Sequence, residues 1–245
     1  MADNKGYIER FNLNQRLQHA VNAVACLILF ATGLPIKYPD SLGYMASFIG
    51  GYTVTTTMHR FAGGAIVVLA IFHLLYNLVD REWWRTKDIL PAWLDLTNII
   101  KDTKFALGLS REKGTYGKYG YREKLDYWGA FIFFPILIAT GLVMWHPTFF
   151  VAQGLLPDFL PAIRVVHSLD AILAGMAIML HLYNVHLNPE FFPANWTMFT
   201  GEISAVKAKE EFPLWYERVV AEGKVHEEPA TAPHAPTALE VSGGK

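Results

Sequence analysis

Four long apolar stretches alternate with polar segments along the 245-residue chain. They cover about residues 15–36, 58–80, 125–146 and 163–187. Each provides roughly the 20 apolar residues that a helix needs to cross the hydrocarbon core of a bilayer. A spanning helix also satisfies its own backbone hydrogen bonds, which lipid cannot do. The pattern therefore predicts an all-α membrane protein, a four-helix transmembrane bundle.

The polar segments predict an additional helix and the orientation of the chain. The connector 81–124 is rich in lysine and arginine, and within it residues 90–109 have apolar positions at helical spacing. This spacing indicates an interfacial helix lying along the membrane surface. Because basic residues concentrate in this connector and near both ends of the chain, the positive-inside rule predicts cytoplasmic termini.

The chain is expected to divide near residue 205. Residues 1–205 form the predicted membrane domain, and 206–245 form a polar cytoplasmic tail. From about residue 227 the tail is rich in proline, alanine and glutamate, which predicts disorder. Apart from the histidine pairs described next, we identify no long internal repeat.

Two of the predicted helices carry histidines fourteen positions apart: His59 with His73, and His167 with His181. Fourteen residues return to within ~40° of the same direction, so each pair shares one helix face, with members ~21 Å apart. Ionisable side chains inside a membrane are costly and indicate function. Side by side, the two helices would form two stacked slots walled by imidazoles. Haem iron takes two axial imidazoles in such a slot.

The spacing leaves the pairing open at one of the two levels. The outer slot contains His59 and His167. At the inner slot, His181 can pair either with His73 or with His19, which lies near the start of the first helix.

Composition limits the kind of cofactor and partner. The single cysteine, Cys26, excludes a Cys-x-x-Cys-His attachment site, so haem would be held non-covalently, as a b-type centre. A net charge of −1 gives no basic footprint for nucleic acid. A metal site or proton relay is the main alternative, but acidic partners in the spans are few. The clearest is Asp170, which could instead hydrogen-bond His167.

Charged and small residues near the histidines have two interpretations each. Arg60 and Arg164 could pair with haem propionates or extend to the lipid headgroups. Gly63, Gly64 and Gly175 could let a flat macrocycle lie against the backbone, or could serve close helix packing.

Four segments carry a family resemblance: RLQHAVNAVACLILFATGLP, MHRFAGGAIVVLAIFHLLY, IRVVHSLDAILAGMAIMLHLYNVHL and NPEFFPANWTMFTGEIS. They resemble the cytochrome b subunits of formate dehydrogenases and nickel-iron hydrogenases, over roughly residues 10–205. The sequence looks closest to the branch that accompanies multihaem c-type cytochromes.

The resemblance implies two haems and their ligands. The outer haem would be held by His59 and His167, and the inner haem by His19 and His181. His73 departs from this pattern and matches the cytochrome b of quinol:cytochrome c reductases, where it would pair with His181. We favour His19 and keep His73 as the alternative.

The resemblance also implies a quinone site, for menaquinone or ubiquinone, beside the inner haem. It would involve the loop GKYGYREKLDYW before the third span. Tyr119, Tyr121, Glu123 and Lys124 are the candidates, and an ordinary solvated loop is the alternative.

Together these features predict a subunit of a prokaryotic inner-membrane complex that transfers electrons between quinone and an extracytoplasmic partner. That partner would be a multihaem cytochrome c or an iron-sulfur or catalytic subunit. One alternative is a small quinol:cytochrome reductase module. Another is a haem-free membrane anchor or metal transporter.

Overall fold

The computed structural model describes residues 6–80, 84, 86–188 and 195–226. The described chain divides into two units. The membrane unit contains residues 17–80, 84, 86–91 and 121–188, and the polar unit contains residues 6–16, 92–120 and 195–226. The principal elements, in chain order, are β1 (Tyr7–Glu9), α1 (Leu13–Lys37), α2 (Pro39–Ile49), α3 (Tyr52–Val79), α4 (Trp93–Ala106), α5 (Tyr121–Trp145), α6 (Pro147–Ala152), α7 (Leu160–Leu182), α8 (Thr197–Thr200), β2 (Glu202–Ser204), α9 (Ala205–Glu211) and α10 (Pro213–Ala221).

Four helical segments are long and apolar enough to cross a bilayer, which confirms the predicted all-α membrane fold. They are α1, α3, α5 and the segment Pro157–Leu187, which contains α7. A 3₁₀ turn, Pro157–Phe159, precedes α7, and a π turn, Tyr183–Leu187, follows it.

The four spanning helices meet around a small apolar cluster. Ala25 and Cys26 of α1 and Ile66 of α3 are buried there. Side chains of all four helices pack against one another at this point, the partly buried ones being Leu29, Phe134, Ile138 and Ile178. Most other apolar side chains of these helices point outward, as expected where lipid replaces water.

The second span begins at Tyr52, six residues earlier than the expected start at 58, and the preceding connector contains α2. Gly50 and Gly51 form the turn between α2 and α3, with φ of +119° and +95°, a region that favours glycine. In the threonine-rich start of α3, a hydroxyl can bond a carbonyl of its own helix and so needs no water as a partner. Thr55, fully buried, donates to the Gly51 carbonyl at 2.9 Å.

The polar unit contains a short antiparallel sheet and its own small core. Strand β1 pairs with β2, with Ile8 opposite Ile203. Both isoleucines are buried in a core whose other members are Ala205, Ala208, Phe212, Trp215 and Val219. The helices α9 and α10 lie in the segment predicted as a polar tail, and the disorder predicted from residue 227 falls outside the described residues.

The additional helix predicted in the basic connector is α4. Its buried residue, Asn98, holds the chain after the helix: the side-chain amide donates to the Thr115 carbonyl at 2.8 Å and accepts from its N–H at 3.1 Å. Trp93, Leu96 and Ile100 are exposed on the same helix. The helix itself is confirmed, and its position along the membrane surface stays a prediction.

Candidate haem-binding site

Two histidines face each other at the level of the membrane unit where α1 ends and α3 begins, which we call the upper level. The ring centres of His59, on α3, and His167, on α7, are 6.5 Å apart, with ring planes inclined by 68°. Nδ1 of His59 lies 2.9 Å from the Thr32 hydroxyl oxygen, and Nδ1 of His167 lies 2.8 Å from that of Thr140.

The threonine hydroxyls fix the protonation of these rings. Each donates its one hydrogen to a carbonyl of its own helix, Thr32 to Ile28 and Thr140 to Ile136, both at 2.6 Å. The hydroxyl oxygen therefore accepts from Nδ1–H of the histidine. The neutral tautomer that results leaves Nε2 with a free lone pair, as a metal ligand requires.

A glycine follows each threonine and makes room for the imidazole. A Cβ at Gly33 would lie 3.1 Å from Cε1 of His59, and one at Gly141 would lie 3.5 Å from Cε1 of His167. Sequence reasoning did not identify the two Thr-Gly pairs. The repeated Ala-Thr-Gly-Leu motif, at 31–34 and 139–142, is the signal that could have found them.

A second pair faces at the lower level, where α1 begins and α3 ends. The ring centres of His19, on α1, and His181, on α7, are 6.2 Å apart, with planes inclined by 52°. Here the partner of Nδ1 is a carboxylate, because Asp126 Oδ2 lies 2.8 Å from Nδ1 of His181. An acidic partner orients a ligand imidazole and raises its basicity.

His73 lies on the same face of α3 as His59 but has different neighbours. Its Nδ1 is 2.7 Å from Gln18 Oε1. Its Nε2 is 3.0 Å from the Tyr127 hydroxyl and 2.9 Å from Asn77 Nδ2. Both ring nitrogens of His73 thus form hydrogen bonds. His181, in contrast, lies opposite His19.

These contacts follow a repeat that the sequence analysis missed. Residues 31–34 recur as 139–142, a shift of 108 positions, and both histidines of α3 recur in α7 at the same shift. The hydrogen bonds to Nδ1 recur with them, since Asp126 stands 108 positions after Gln18. The α1–α3 pair and the α5–α7 pair therefore carry matching side chains at matching positions.

The donor set of both levels fits haem. An imidazole nitrogen binds a metal at about 2.0 Å and lies about 1.1 Å from its ring centre, so two rings on one metal have centres roughly 6.2 Å apart. The observed 6.5 and 6.2 Å agree with this spacing. A purely protein-bound metal centre has less support, because the described residues contain no group of three or more His, Cys, Asp or Glu side chains that could hold an ion.

The other residues singled out near the histidines have varied surroundings. Arg60 and Arg164 are exposed near the upper level. A Cβ at Gly63 or Gly64 would meet no atom within 4 Å, so space is open beside them. At Gly175 a Cβ would fall 2.8 Å from the Phe30 ring, which indicates close packing of α7 on α1.

Asp170 does not serve as the partner of His167, since Thr140 occupies that position. Its side chain is buried, and its Oδ2 has no hydrogen-bond partner among the described residues.

The loop candidates for a quinone site fall in both units. Tyr119, in the polar unit, lies with its ring centre 6.3 Å from that of Phe11. Tyr121 is the first residue of α5 in the membrane unit, and its hydroxyl accepts from Nε of Arg122 at 3.4 Å.

Comparison with known proteins agrees with the geometry. Residues 10–201 match the family described as prokaryotic cytochrome b561. The formate dehydrogenase cytochrome b556(fdo) subunit of Escherichia coli K12 is 27% identical over 221 residues, which cover 86% of this chain and 93% of that protein. The nitrate-inducible cytochrome b556(Fdn) subunit of the same strain is 26% identical over 203 residues, covering 80% and 84%. A formate dehydrogenase cytochrome b556 subunit of Haemophilus influenzae is 22% identical over 226 residues, covering 87% and 84%.

These matches confirm the resemblance carried by the helix motifs. Proteins of this family are b-type cytochromes, which hold haem non-covalently and transfer electrons. Four helices long and apolar enough to cross a bilayer make the chain a multi-pass membrane protein. The chain belongs to the prokaryotic cytochrome b561 family, as a membrane cytochrome b related to the formate dehydrogenase subunits.

Proposed function

We propose that this protein is a dihaem cytochrome b subunit that carries electrons across the inner membrane between an extracytoplasmic redox partner and the quinone pool. The observation that carries the proposal is the presence of two facing imidazole pairs, with ring centres 6.5 and 6.2 Å apart. The two histidines of α7 are fourteen residues apart, which separates the levels by ~21 Å along the helix. Two redox centres at that spacing would divide the passage across a bilayer into short steps.

His59 and His167 are the proposed ligands at the upper level, and His19 and His181 at the lower level. His73 remains the alternative to His19. It is disfavoured because ligation through Nε2 would break the contacts of that atom with Tyr127 and Asn77.

Haem held by two histidines at each level would supply one-electron transfer chemistry. The protein's own groups hold the ligands in place. Thr32 and Thr140 accept from the upper histidines, and Asp126 accepts from His181. Arg60 and Arg164 are proposed to contact the haem propionates, since both are cationic and exposed near the upper level.

The distribution of basic residues supports an orientation with both termini in the cytoplasm. The upper level then lies near the extracytoplasmic face, and the lower level lies near the cytoplasmic face. Quinone is proposed to react on the cytoplasmic side, either at the loop candidates Tyr119 and Tyr121 or at a site of the membrane unit near the lower level.

The proposed partner is a catalytic or iron-sulfur subunit. The relatives are named as cytochrome subunits of formate dehydrogenase, and we identify no second cofactor motif in this sequence. Substrate chemistry would therefore belong to another subunit. A multihaem cytochrome c is the alternative partner that the sequence resemblance implies.

The haem content of the purified protein tests the proposal. We expect two b-type haems per chain by pyridine haemochrome assay, with one lost in His59→Ala and one lost in His19→Ala. His73→Ala and the control His146→Ala should retain both. His146 is a matched control because it stacks on Trp145 just after α5 and belongs to neither pair.

Two results would contradict it. Absence of haem in the protein isolated from its native membrane would favour the membrane anchor or transporter. Loss of a haem in His73→Ala with both retained in His19→Ala would favour the quinol:cytochrome reductase type of pairing.

A further inference from the structure

The lower level contains a second half-site that haem ligation leaves unexplained. Under the 108-residue repeat, Asp126, His181 and His19 correspond to Gln18, His73 and Tyr127. In each half-site an α1 or α5 side chain bonds Nδ1 of the histidine. The two half-sites differ in the residue that lies opposite this histidine. His19 faces His181 with ring centres 6.2 Å apart, whereas the Tyr127 hydroxyl contacts Nε2 of His73 directly, at 3.0 Å.

In this second half-site, hydrogen-bond donors outnumber acceptors. Gln18 Oε1 accepts from Nδ1–H of His73, so Nε2 offers one lone pair. Two acceptors, Nε2 of His73 and the Tyr127 oxygen, are within reach of three hydrogens. These are the tyrosine O–H and the two N–H groups of the Asn77 amide. If Asn77 donates to both acceptors, the tyrosine hydrogen is left over. If Tyr127 donates to Nε2, one amide hydrogen is left over. With Asn77 Nδ2 facing both acceptors, as in this structure, the opposite tautomer of His73 increases the surplus.

A surplus donor is costly in this location. An unpaired polar hydrogen in an apolar environment costs a few kcal/mol, and the hydrocarbon core supplies no acceptor. Among the described residues, neither Tyr127 nor Asn77 has a further acceptor for its side chain. The cluster is therefore one acceptor short.

The surroundings favour a flat, neutral molecule as the source of that acceptor. The ring of Phe131 is 5.1 Å from that of Tyr127 and 6.1 Å from that of His73, and the ring of Trp128 is 5.6 Å from that of Tyr127. All four side chains are partly exposed on the membrane unit, so a molecule dissolved in the bilayer can reach them. An anionic acceptor would incur the cost of a charge inside the membrane.

We propose that Asn77 and Tyr127, held by His73, bind a carbonyl oxygen of a membrane quinone, with Phe131 and Trp128 packing against its ring. The proposal rests on the quinone reaction proposed above and gives that reaction a location. It places quinone within the membrane unit, at the level of the His19–His181 pair, and not at Tyr119 or Tyr121.

Asn77→Leu is the sharpest test, because it removes both amide hydrogens and lets the Tyr127 hydrogen pair with Nε2 of His73. No donor then remains for the quinone, although the tyrosine is still present. We expect decylubiquinone binding to the purified haem-loaded protein, followed by calorimetry, to weaken about tenfold, the value of one hydrogen bond. The decylubiquinol concentration for half-maximal haem reduction should rise by a similar factor. Tyr127→Phe should leave both near the wild-type values, because Nε2 of His73 accepts only one of the two Asn77 amide hydrogens and the other remains for the quinone. The same measurements with menadione and menadiol cover a naphthoquinone preference.

The matched control is Asn22→Leu, the same substitution on another spanning helix. Within the described part of the chain, the Asn22 amide oxygen accepts a hydrogen bond only from Sγ of Cys26, at 3.8 Å. It should leave binding, reduction and haem content unchanged. Unaltered quinone binding in Asn77→Leu, or its loss in Tyr119→Phe or Tyr121→Phe instead, would overturn the proposal. So would loss of a haem in Asn77→Leu.

The outcomes also separate this site from the general function. If the wild-type protein binds quinone and Asn77→Leu does not, yet quinol never reduces the haems, the site stands and the proposed electron transfer fails. If quinol reduces wild type and Asn77→Leu equally, the electron transfer stands and this site fails.

Discussion

Asp126 Oδ2 lies 2.8 Å from Nδ1 of His181, whereas the histidines of the upper level are held by neutral threonine hydroxyls. The two levels therefore differ in charge next to the proposed ligands. A carboxylate makes the imidazole a stronger donor to iron and stabilises the oxidised state more than a hydroxyl does. The lower haem is accordingly expected to have the lower reduction potential, other influences being equal.

Asp126→Asn is expected to raise the reduction potential of the lower haem. The amide still occupies the position but carries no charge, so the oxidised state loses stabilisation. For a one-electron couple, each tenfold loss of preference for the oxidised state raises the potential by about 59 mV. A spectroscopic redox titration measures both potentials. The control Asp158→Asn, in the turn before α7, should move neither, and an unchanged lower potential in Asp126→Asn would contradict the assignment.

Thr32→Val and Thr140→Val are expected to weaken haem binding at the upper level only. Each leaves the Nδ1–H of one ligand histidine without its acceptor, and loss of such a partner typically costs 10- to 100-fold in metal affinity. Haem retention during transfer to apomyoglobin checks this loss. Thr103→Val, at an exposed position of α4, is the matched control. Equal loss from both levels would argue against a local effect.

Gly33→Ala should disturb the upper level more than Gly141→Ala. The added methyl would lie 3.1 Å from Cε1 of His59, so the ring must shift, whereas 3.5 Å from His167 is an ordinary contact. We expect Gly33→Ala to lower haem occupancy at one site severalfold and Gly141→Ala to leave it near wild type. Low-temperature EPR of the oxidised haems reports the ligand geometry. Gly43→Ala on α2, which meets no neighbour within 4 Å, is the control.

Arg10 is expected to stabilise the polar unit through its guanidinium group. The group lies 3.8 Å above the Phe212 ring, and its Nη2 donates to the Lys118 carbonyl at 3.0 Å. Arg10→Lys keeps the charge but loses the planar stacking on Phe212. This change should lower the free energy of local unfolding of the polar unit by about 1–2 kcal/mol. Hydrogen exchange of the β1 and β2 amides should accelerate correspondingly, while exposed Arg111→Lys should have no effect.

Sequence pattern was sufficient for the spans and for the two levels at which histidines lie along the helices, because both follow from helix length and rise. The pairing of His181 was not predictable in this way. It depends on the rotation of α1 relative to α7, which places His19 opposite His181, and on the polar partners that engage His73. Those contacts join helices far apart in sequence, so spacing within one helix carries no information about them.

The start of α3 and the Thr-Gly pairs were missed for a related reason. Threonine reads as polar in a hydropathy pattern, yet a helix satisfies its hydroxyl locally, as Thr55 and Thr140 show. Such a residue can then lie inside a spanning helix and still offer an oxygen to a neighbouring imidazole. The repeated motif was visible in the sequence, but its meaning depends on which side chains the fold brings together.

The shift of 108 residues has an evolutionary consequence. One hairpin supplies Thr32, Gly33 and His59, and the other supplies their exact counterparts, so two identical hairpins would build the whole upper level as a symmetric homodimer. Fusion of the two genes would free each copy to diverge, and at the opposite level Gln18 and His19 differ from their counterparts Asp126 and Tyr127. The matched positions are those that duplication of a two-helix peptide, binding its prosthetic group as a dimer, would leave in a single chain.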